Sequence, residues 1–265
     1  MIAHRGASAH RAEHTLAAYA LALDQGADGL ECDVRLTRDG HLVCVHDRRV
    51  DRTSTGRGVV SATDLDALAG YDYGRWHDEL STADELVTRR VAEPPDPPER
   101  RRLLTLADLL GLITDHRRHV RLFVETKHPV RYSGLVEAKL VAMLARHGLA
   151  APACKDDSPV VVMSFSSRAV RRVRTDAPGL PTVLLLRTLT GVADGWLPPW
   201  ADIAGPDVRD LRADPDYVAR AAGRGHPTYA WTVDDPADVA LCRDAGVRYV
   251  ATNRPAATRA ALSRL

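Results

Sequence analysis

Strand-like and helix-like segments alternate along this chain, and that alternation restricts it to architectures with a mainly parallel sheet covered by helices. The short strand Ile2-Ala3 precedes a helix whose apolar residues Leu16, Tyr19, Ala20 and Leu23 recur at helical spacing and which closes at Gly26. Gly29 to Val34 is the next strand. Thr105 caps a helix carrying Leu106, Leu109, Leu110 and Ile113, and Val120 to Glu125 follows as a strand. Val136, Leu140, Met143 and Leu144 mark another helix, ended by Gly148, before the β-branched run Val160-Val161-Val162-Met163. A helix near Val170 and Val173, a strand from Thr182 to Leu186, a weak strand near Asp202 to Ala204 and a helix opening at Asp214-Pro215 come next. The series closes with strand Thr228 to Val233, a helix from Asp235-Pro236 to Gly246, strand Arg248 to Thr252 and a helix from Pro255.

These are eight strands in 265 residues, the size and count of a closed (β/α)8 TIM barrel. Leu42 to His46 is left out, because Asp39-Gly40 is a strong hairpin turn and makes that stretch an antiparallel return strand. An open doubly wound sheet is the alternative, since periodicity does not report closure; no GxGxxG follows an early strand to support its dinucleotide-binding form. Residues 51–104 break the alternation. They contain an aromatic group of Tyr71, Tyr73 and Trp76, a short helix signal around Leu65 and Leu68, and the proline-dense Glu93-Pro94-Pro95-Asp96-Pro97-Pro98. The expectation is one catalytic domain over 1–265, with 51–104 a small insertion after the second barrel strand, lying over the catalytic face.

Lys+Arg of 36 against Asp+Glu of 35 leaves a net charge of +1, so no global field draws the chain to nucleic acid or an anionic membrane. Useful charge must be local. Lysines are confined to Lys127, Lys139 and Lys155, which makes a lysine beside Glu125 in a strand unusual here, and Asn253 is the only asparagine. Cys32, Cys44, Cys154 and Cys242 lack CxxC spacing and read as reduced thiols. With no apolar run long enough to span a bilayer and no basic and apolar leader before residue 4, a cytoplasmic location is expected, although processing could have removed a leader.

Residues two apart in a strand share a face, about 6.6 Å apart, so Glu31 and Asp33 project together while Leu30, Cys32 and Val34 face the other way. On an exposed strand the pair would simply be solvated; inside a barrel it is costly without a cation or partner. Glu125 ends the next barrel strand, on the side where barrels build their sites, and three hard oxygen ligands suit Mg²⁺ or Ca²⁺ better than zinc. His4 and His46 also end strands and are candidates for acid and base. His10, His14, His77, His116, His119 and His147 read as surface or hydrogen-bonded core residues. Arg5 and Lys127 offer positive charge for a phosphate, against the plainer reading of Lys127 as a surface ion pair with Glu125. This is an inventory for cleaving a phosphodiester on a metal ion.

In order along the chain, His4-Arg5-Gly6, Ala12-Glu13-His14-Thr15, Gly26 to Val34, Thr37-Arg38-Asp39-Gly40, Val45-His46-Asp47 and Arg52 to Gly58 resemble the glycerophosphodiester phosphodiesterase family. Leu104-Thr105-Leu106, Glu125-Thr126-Lys127, Ser164-Phe165, Ala230 to Pro236 and Gly246 to Pro255 continue the resemblance over nearly the whole chain. It implies a barrel with an insertion after the second strand, His4 and His46 as the acid/base pair, Glu31, Asp33 and Glu125 as ligands of a divalent cation, Mg²⁺ or Ca²⁺, and Arg5 and Lys127 as phosphate contacts. It further implies hydrolysis of glycerophosphodiesters such as glycerophosphocholine or glycerophosphoethanolamine to sn-glycerol 3-phosphate and an alcohol, through a cyclic phosphate, with the order of the two histidines open. Trp231, ending a late strand, is either a wall of the substrate pocket or core packing. His14 stands where the family usually has asparagine. Alternatives are a lysophospholipase D-like enzyme, with insertion residues supplying an acyl groove, a specialised sugar phosphodiesterase, and a non-catalytic binding protein. The expected partner is a small phosphodiester, with no nucleic acid and no transmembrane segment; oligomeric state is left open.

Overall fold

The computed structural model describes residues 1–78 and 96–263. Eight parallel strands form the barrel: β1 (Ile2–His4), β2 (Gly29–Leu36), β4 (Arg121–Thr126), β5 (Val160–Ser164), β6 (Thr182–Leu185), β7 (Ile203–Gly205), β8 (Tyr229–Ala230) and β9 (Tyr249–Thr252). β1 pairs with β2 on one side and with β9 on the other. The ring closes between β7 and β8 through the bridges Ala204 to Thr228 and Asp207 to Trp231. β3 (Leu42–Cys44) runs antiparallel to β2, the return strand expected from the Asp39-Gly40 turn; Gly40 has φ of 87°, a conformation glycine adopts without strain.

The helices follow the strands. α1 (Leu16–Asp24) is capped by Thr15, and α2 (Leu65–Ala69) is a short turn in the segment after β3. α3 (Leu106–Thr114) opens on a full capping box between Thr105 and Asp108. α4 (Leu135–Arg146), α5 (Ser167–Asp176), α8 (Pro236–Asp244) and α9 (Pro255–Leu262) occupy their expected places. One stretch differs from expectation: α6 (Val208–Ala213) starts at Asp207, and α7 (Tyr217–Gly223) starts after Asp216 rather than at Asp214-Pro215. The Asp207 carboxylate accepts from the Arg209 amide, a capping signal in a stretch too short to show helical periodicity.

Strand alternation sorts the side chains into two cores. Leu30, Cys32 and Val34 pack outward with Tyr19, Leu109 and Leu140. Ile2, Phe123, Val161, Met163, Val183, Ile203, Tyr229 and Ala251 fill the barrel interior. A separate cluster gathers Val43, Val45, Val50, Val60, Leu68, Tyr73 and Leu103, so the described parts of 51–104 have apolar contacts of their own against β3. Residues 93–95 of the proline-dense segment lie outside the described residues, and Pro98–Arg100 form a 3-10 turn. Cys32, Cys44 and Cys242 are buried free thiols, and Cys154 is exposed. Among the described residues no helix is long and apolar enough to cross a membrane.

Candidate functional site

Register brings the polar residues together at one end of the barrel. His4 lies opposite Glu31, and Asp33 opposite Glu125, so the inward faces of β1, β2 and β4 present them at neighbouring levels of the barrel. Glu31 and Asp33 are each 1% exposed and Glu125 6%, which removes the reading of a solvated strand face. One oxygen from each of the three carboxylates lies within 4.8 Å of the others.

Charge around this cluster is uneven. Asp33 takes the Arg5 Nε at 3.1 Å, the Lys127 Nζ at 3.2 Å and the His14 Nε2 at 2.9 Å. Burial pushes its carboxyl up, but Arg5, Lys127 and the His14 hydrogen bond outweigh burial and hold it well below the usual range. Glu31 accepts from the Arg5 backbone amide at 3.0 Å, and burial followed by repulsion from Asp33 raises it well above a normal carboxylate. Burial and Asp33 likewise push Glu125 up to about 8, despite Lys127 Nζ at 2.8 Å. Lys127 is therefore an ion-pair partner, as the plainer reading held, but a buried one shared between two carboxylates. Among the described residues the buried Tyr229 hydroxyl has no hydrogen-bond partner, and burial, then Glu31 and Glu125, raise it well above the usual range. Three hard oxygens, two of them resisting ionisation, fit a divalent cation, which would supply the charge that the protein's own cations do not.

The two candidate histidines are held differently. His4 Nδ1 lies 2.8 Å from Asn253 Oδ1, and Asn253 Nδ2 donates to Asp234 Oδ2 at 2.6 Å, so the amide presents its oxygen and His4 carries its proton on Nδ1. Its Nε2 is then the basic nitrogen, 3.9 Å from Glu31 Oε2. Burial, with Arg5 nearby, lowers His4 to about 4. His46 Nδ1 donates to Asp47 Oδ1 at 2.7 Å, and Arg35 donates twice to the His46 carbonyl, at 2.7 and 3.0 Å. Burial lowers His46 as well, with Arg5 and Lys127 adding to it against the pull of Asp33 and Asp47.

Gly6 makes the first turn possible. A Cβ there would meet the Ala18 backbone at 2.6 Å, and its φ is +84°. The turn lets the Arg5 guanidinium reach Asp33 and Glu13. Trp231 packs edge-on against Phe165 at 5.3 Å and donates from Nε1 to the Gly205 carbonyl at 2.9 Å; Lys127 Nζ lies 6.0 Å over the same Phe165 ring. Trp231 thus packs in the barrel against the ring that Lys127 also faces.

Sequence reasoning assigned no role to Asn253, Asp234, Asp47 or Arg35. Asp47 and Asp234 lie inside motifs of the family resemblance, and Asn253 stands out as the single asparagine, placed directly after a strand end. His14, grouped with surface and core histidines, is buried and bonded both to Asp33 and, at 2.8 Å, to the Tyr19 hydroxyl, which lies 3.0 Å from the Glu31 carbonyl oxygen.

Residues 4–257 match the model of the glycerophosphoryl diester phosphodiesterase family. The protein named Probable glycerophosphodiester phosphodiesterase 1 of Mycobacterium tuberculosis is 52% identical over 263 residues, covering 98% of this chain and 91% of its own length. A glycerophosphodiester phosphodiesterase of Bacillus subtilis is 33% identical over 260 residues, covering 96% and 83%. Among solved structures, an Oleispira antarctica phosphodiesterase in complex with the product sn-glycerol-3-phosphate superposes with a TM-score of 0.78 at 22% identity, over 98% of this chain and 95% of that one.

Proposed function

The chain belongs to the glycerophosphodiester phosphodiesterase family and is a phosphoric diester hydrolase, and we propose that it cleaves glycerophosphodiesters to sn-glycerol 3-phosphate and an alcohol at the site of His4, His46, Glu31, Asp33 and Glu125. The observation that carries this reading is the convergence of three buried carboxylates with two histidines, each oriented through Nδ1. The product named for the Oleispira antarctica structure agrees with it.

Glu31, Asp33 and Glu125 would hold a divalent cation, Mg²⁺ or Ca²⁺, whose chemistry there is Lewis-acid stabilisation of phosphoryl charge and a lowered pKa for a bound hydroxyl. His4 Nε2 faces the carboxylate cluster and takes the proton of the glycerol 2-hydroxyl as that oxygen attacks phosphorus. His46, whose Asp47 partner favours the imidazolium, gives a proton to the leaving alcohol as its bond to phosphorus breaks. The cyclic phosphate is then opened by water with the roles reversed. Arg5 and Lys127 place positive charge beside the phosphoryl group and hold Asp33 ionised. Trp231 and Phe165 form an apolar wall next to Lys127.

Purified protein with Mg²⁺ or Ca²⁺ is expected to release glycerol 3-phosphate from glycerophosphocholine or glycerophosphoethanolamine. An undiminished rate in excess chelator would remove the cation from the mechanism. Faster turnover of lysophosphatidylcholine than of glycerophosphocholine would move the reading to a lysophospholipase D.

A further inference from the structure

A second concavity, of about 450 Å³, lies beside His46. The two share Arg35: the guanidinium that holds the His46 carbonyl also lines the cavity. Arg48 and Arg131 line it as well, and no aspartate or glutamate does among the described residues. Neither Arg48 nor Arg131 has a carboxylate partner among the described residues, whereas Arg5 and Arg52 beside the site are both ion-paired. Burial disfavours the charge of Arg35, Asp33, Glu125 and Asp47 favour it, and Arg48 opposes it. Arg48 and Arg131 are exposed guanidiniums that line the cavity without a carboxylate partner among the described residues, and an anion bound there would supply one. Ser61 lies at the same walls, Ser133 Oγ there takes a hydrogen bond from Arg172 at 3.3 Å, and Leu36 and Val60 give the cavity an apolar side that suits a carbon skeleton.

We propose that this cavity is the leaving-group subsite and that it selects glycerophosphodiesters whose leaving alcohol carries a second anionic group, a phosphate ester in the first instance. The proposal rests on the diesterase reading above. On that reading His46 protonates the leaving oxygen, and the remainder of the alcohol extends past His46 toward the arginine it shares with the cavity. Arg48 and Arg131 then contact the distal anion. A choline or ethanolamine head group would bring a cation to a wall with no carboxylate to receive it, so such substrates are turned over less efficiently.

Three diesters of glycerol 3-phosphate separate the outcomes: glycerophosphocholine with a cationic leaving alcohol, glycerophosphoglycerol with a neutral one, and bis(glycerophospho)glycerol with a second phosphate in the leaving group. The expected kcat/KM is at least about tenfold higher for the last than for glycerophosphoglycerol at low salt, and lowest for glycerophosphocholine. The preference shrinks as salt screens the exposed arginines. In Arg48→Gln, Arg131→Gln and the double variant, the ratio of anionic to neutral kcat/KM falls toward one. Glycerophosphoglycerol hydrolysis with no anionic preference, or variants that keep the wild-type ratio, would overturn the subsite and leave the diesterase reading standing. No hydrolysis of any of the three would overturn both.

Discussion

His4 donates from Nδ1 to the neutral oxygen of Asn253, whereas His46 donates to the carboxylate of Asp47, and this difference is the basis for separating their roles. If His46 protonates the leaving alcohol, a leaving group that needs no proton makes it dispensable. His46→Ala is expected to lose on the order of 10²–10⁴ in rate on glycerophosphodiesters with ordinary alcohols and to recover most of it on a p-nitrophenyl diester. His4→Ala is expected to stay impaired on both; equal recovery of the two variants would reverse or cancel the assignment. Asn253 acts through His4 rather than on substrate, and Asp234 fixes it through three hydrogen bonds that involve Asn253 and Thr252. Asn253→Ala should lower kcat by about tenfold or more with little change in KM, because the imidazole loses the acceptor that sets its tautomer. A change confined to KM would make Asn253 a substrate contact. The sequence shows these residues to very different degrees. Glu31, Asp33 and Glu125 are legible because strand alternation assigns faces, but Asn253 reaches His4 across 249 positions, a pairing that no local pattern encodes.

Loops at the catalytic end are fastened to one another by Arg52, which binds Asp47 through Nε at 2.7 Å and Glu13 through Nη1 and Nη2 at 2.8 Å each. The turn after β1 and the hairpin bearing His46 are thereby joined. Burial raises Glu13, but the bond to Arg52 and the charge of Arg5 outweigh it and bring the carboxyl to about 2; Asp47 reaches about 2 under Arg52 and His46 in the same way. Carboxyls depressed in the folded state stabilise it above their unfolded values near 4, and that contribution is lost as pH falls from about 4 through 2. Arg52 is 44% exposed on its side chain, so Arg52→Ala is expected to cost only about 1 kcal/mol at pH 7. The difference between variant and wild type in denaturant titrations should shrink steadily below pH 4, and a gap that persists at pH 2 would mean the residue works by packing against Trp76, 5.9 Å from its guanidinium. Element identities were largely readable, since capping residues such as Thr105 and Asp235 fix helix starts. β8 is two residues long where a six-residue stretch has strand character, because pairing across the ring decides its extent, not local preference.

At the scale of the molecule, closure was the property periodicity could not supply. The ring is completed by two isolated bridges between β7 and β8, contacts that exist only once the other strands are in register. The same closure gathers Glu31 and Asp33 on β2 with Glu125 on β4 into one buried anionic cluster in a chain whose net charge is only +1. Folding therefore works against the repulsion among these carboxylates unless a cation joins them, and the site should couple ion binding to global stability. An ion that binds the folded barrel and not the unfolded chain stabilises it by about 2.7 kcal/mol at a hundredfold excess over Kd. For a domain of this size that is a rise in melting temperature of roughly 5–10 °C. Mg²⁺ or Ca²⁺ is expected to produce that rise in a thermal melt and excess chelator to remove it, with no substrate present. Glu31→Gln should raise the melting temperature of the ion-free protein, because it removes a carboxyl whose ionisation burial and Asp33 oppose, while reducing the rise produced by the ion. A variant destabilised without the ion would show that Glu31 is held by its bond to the Arg5 amide rather than strained by its neighbours.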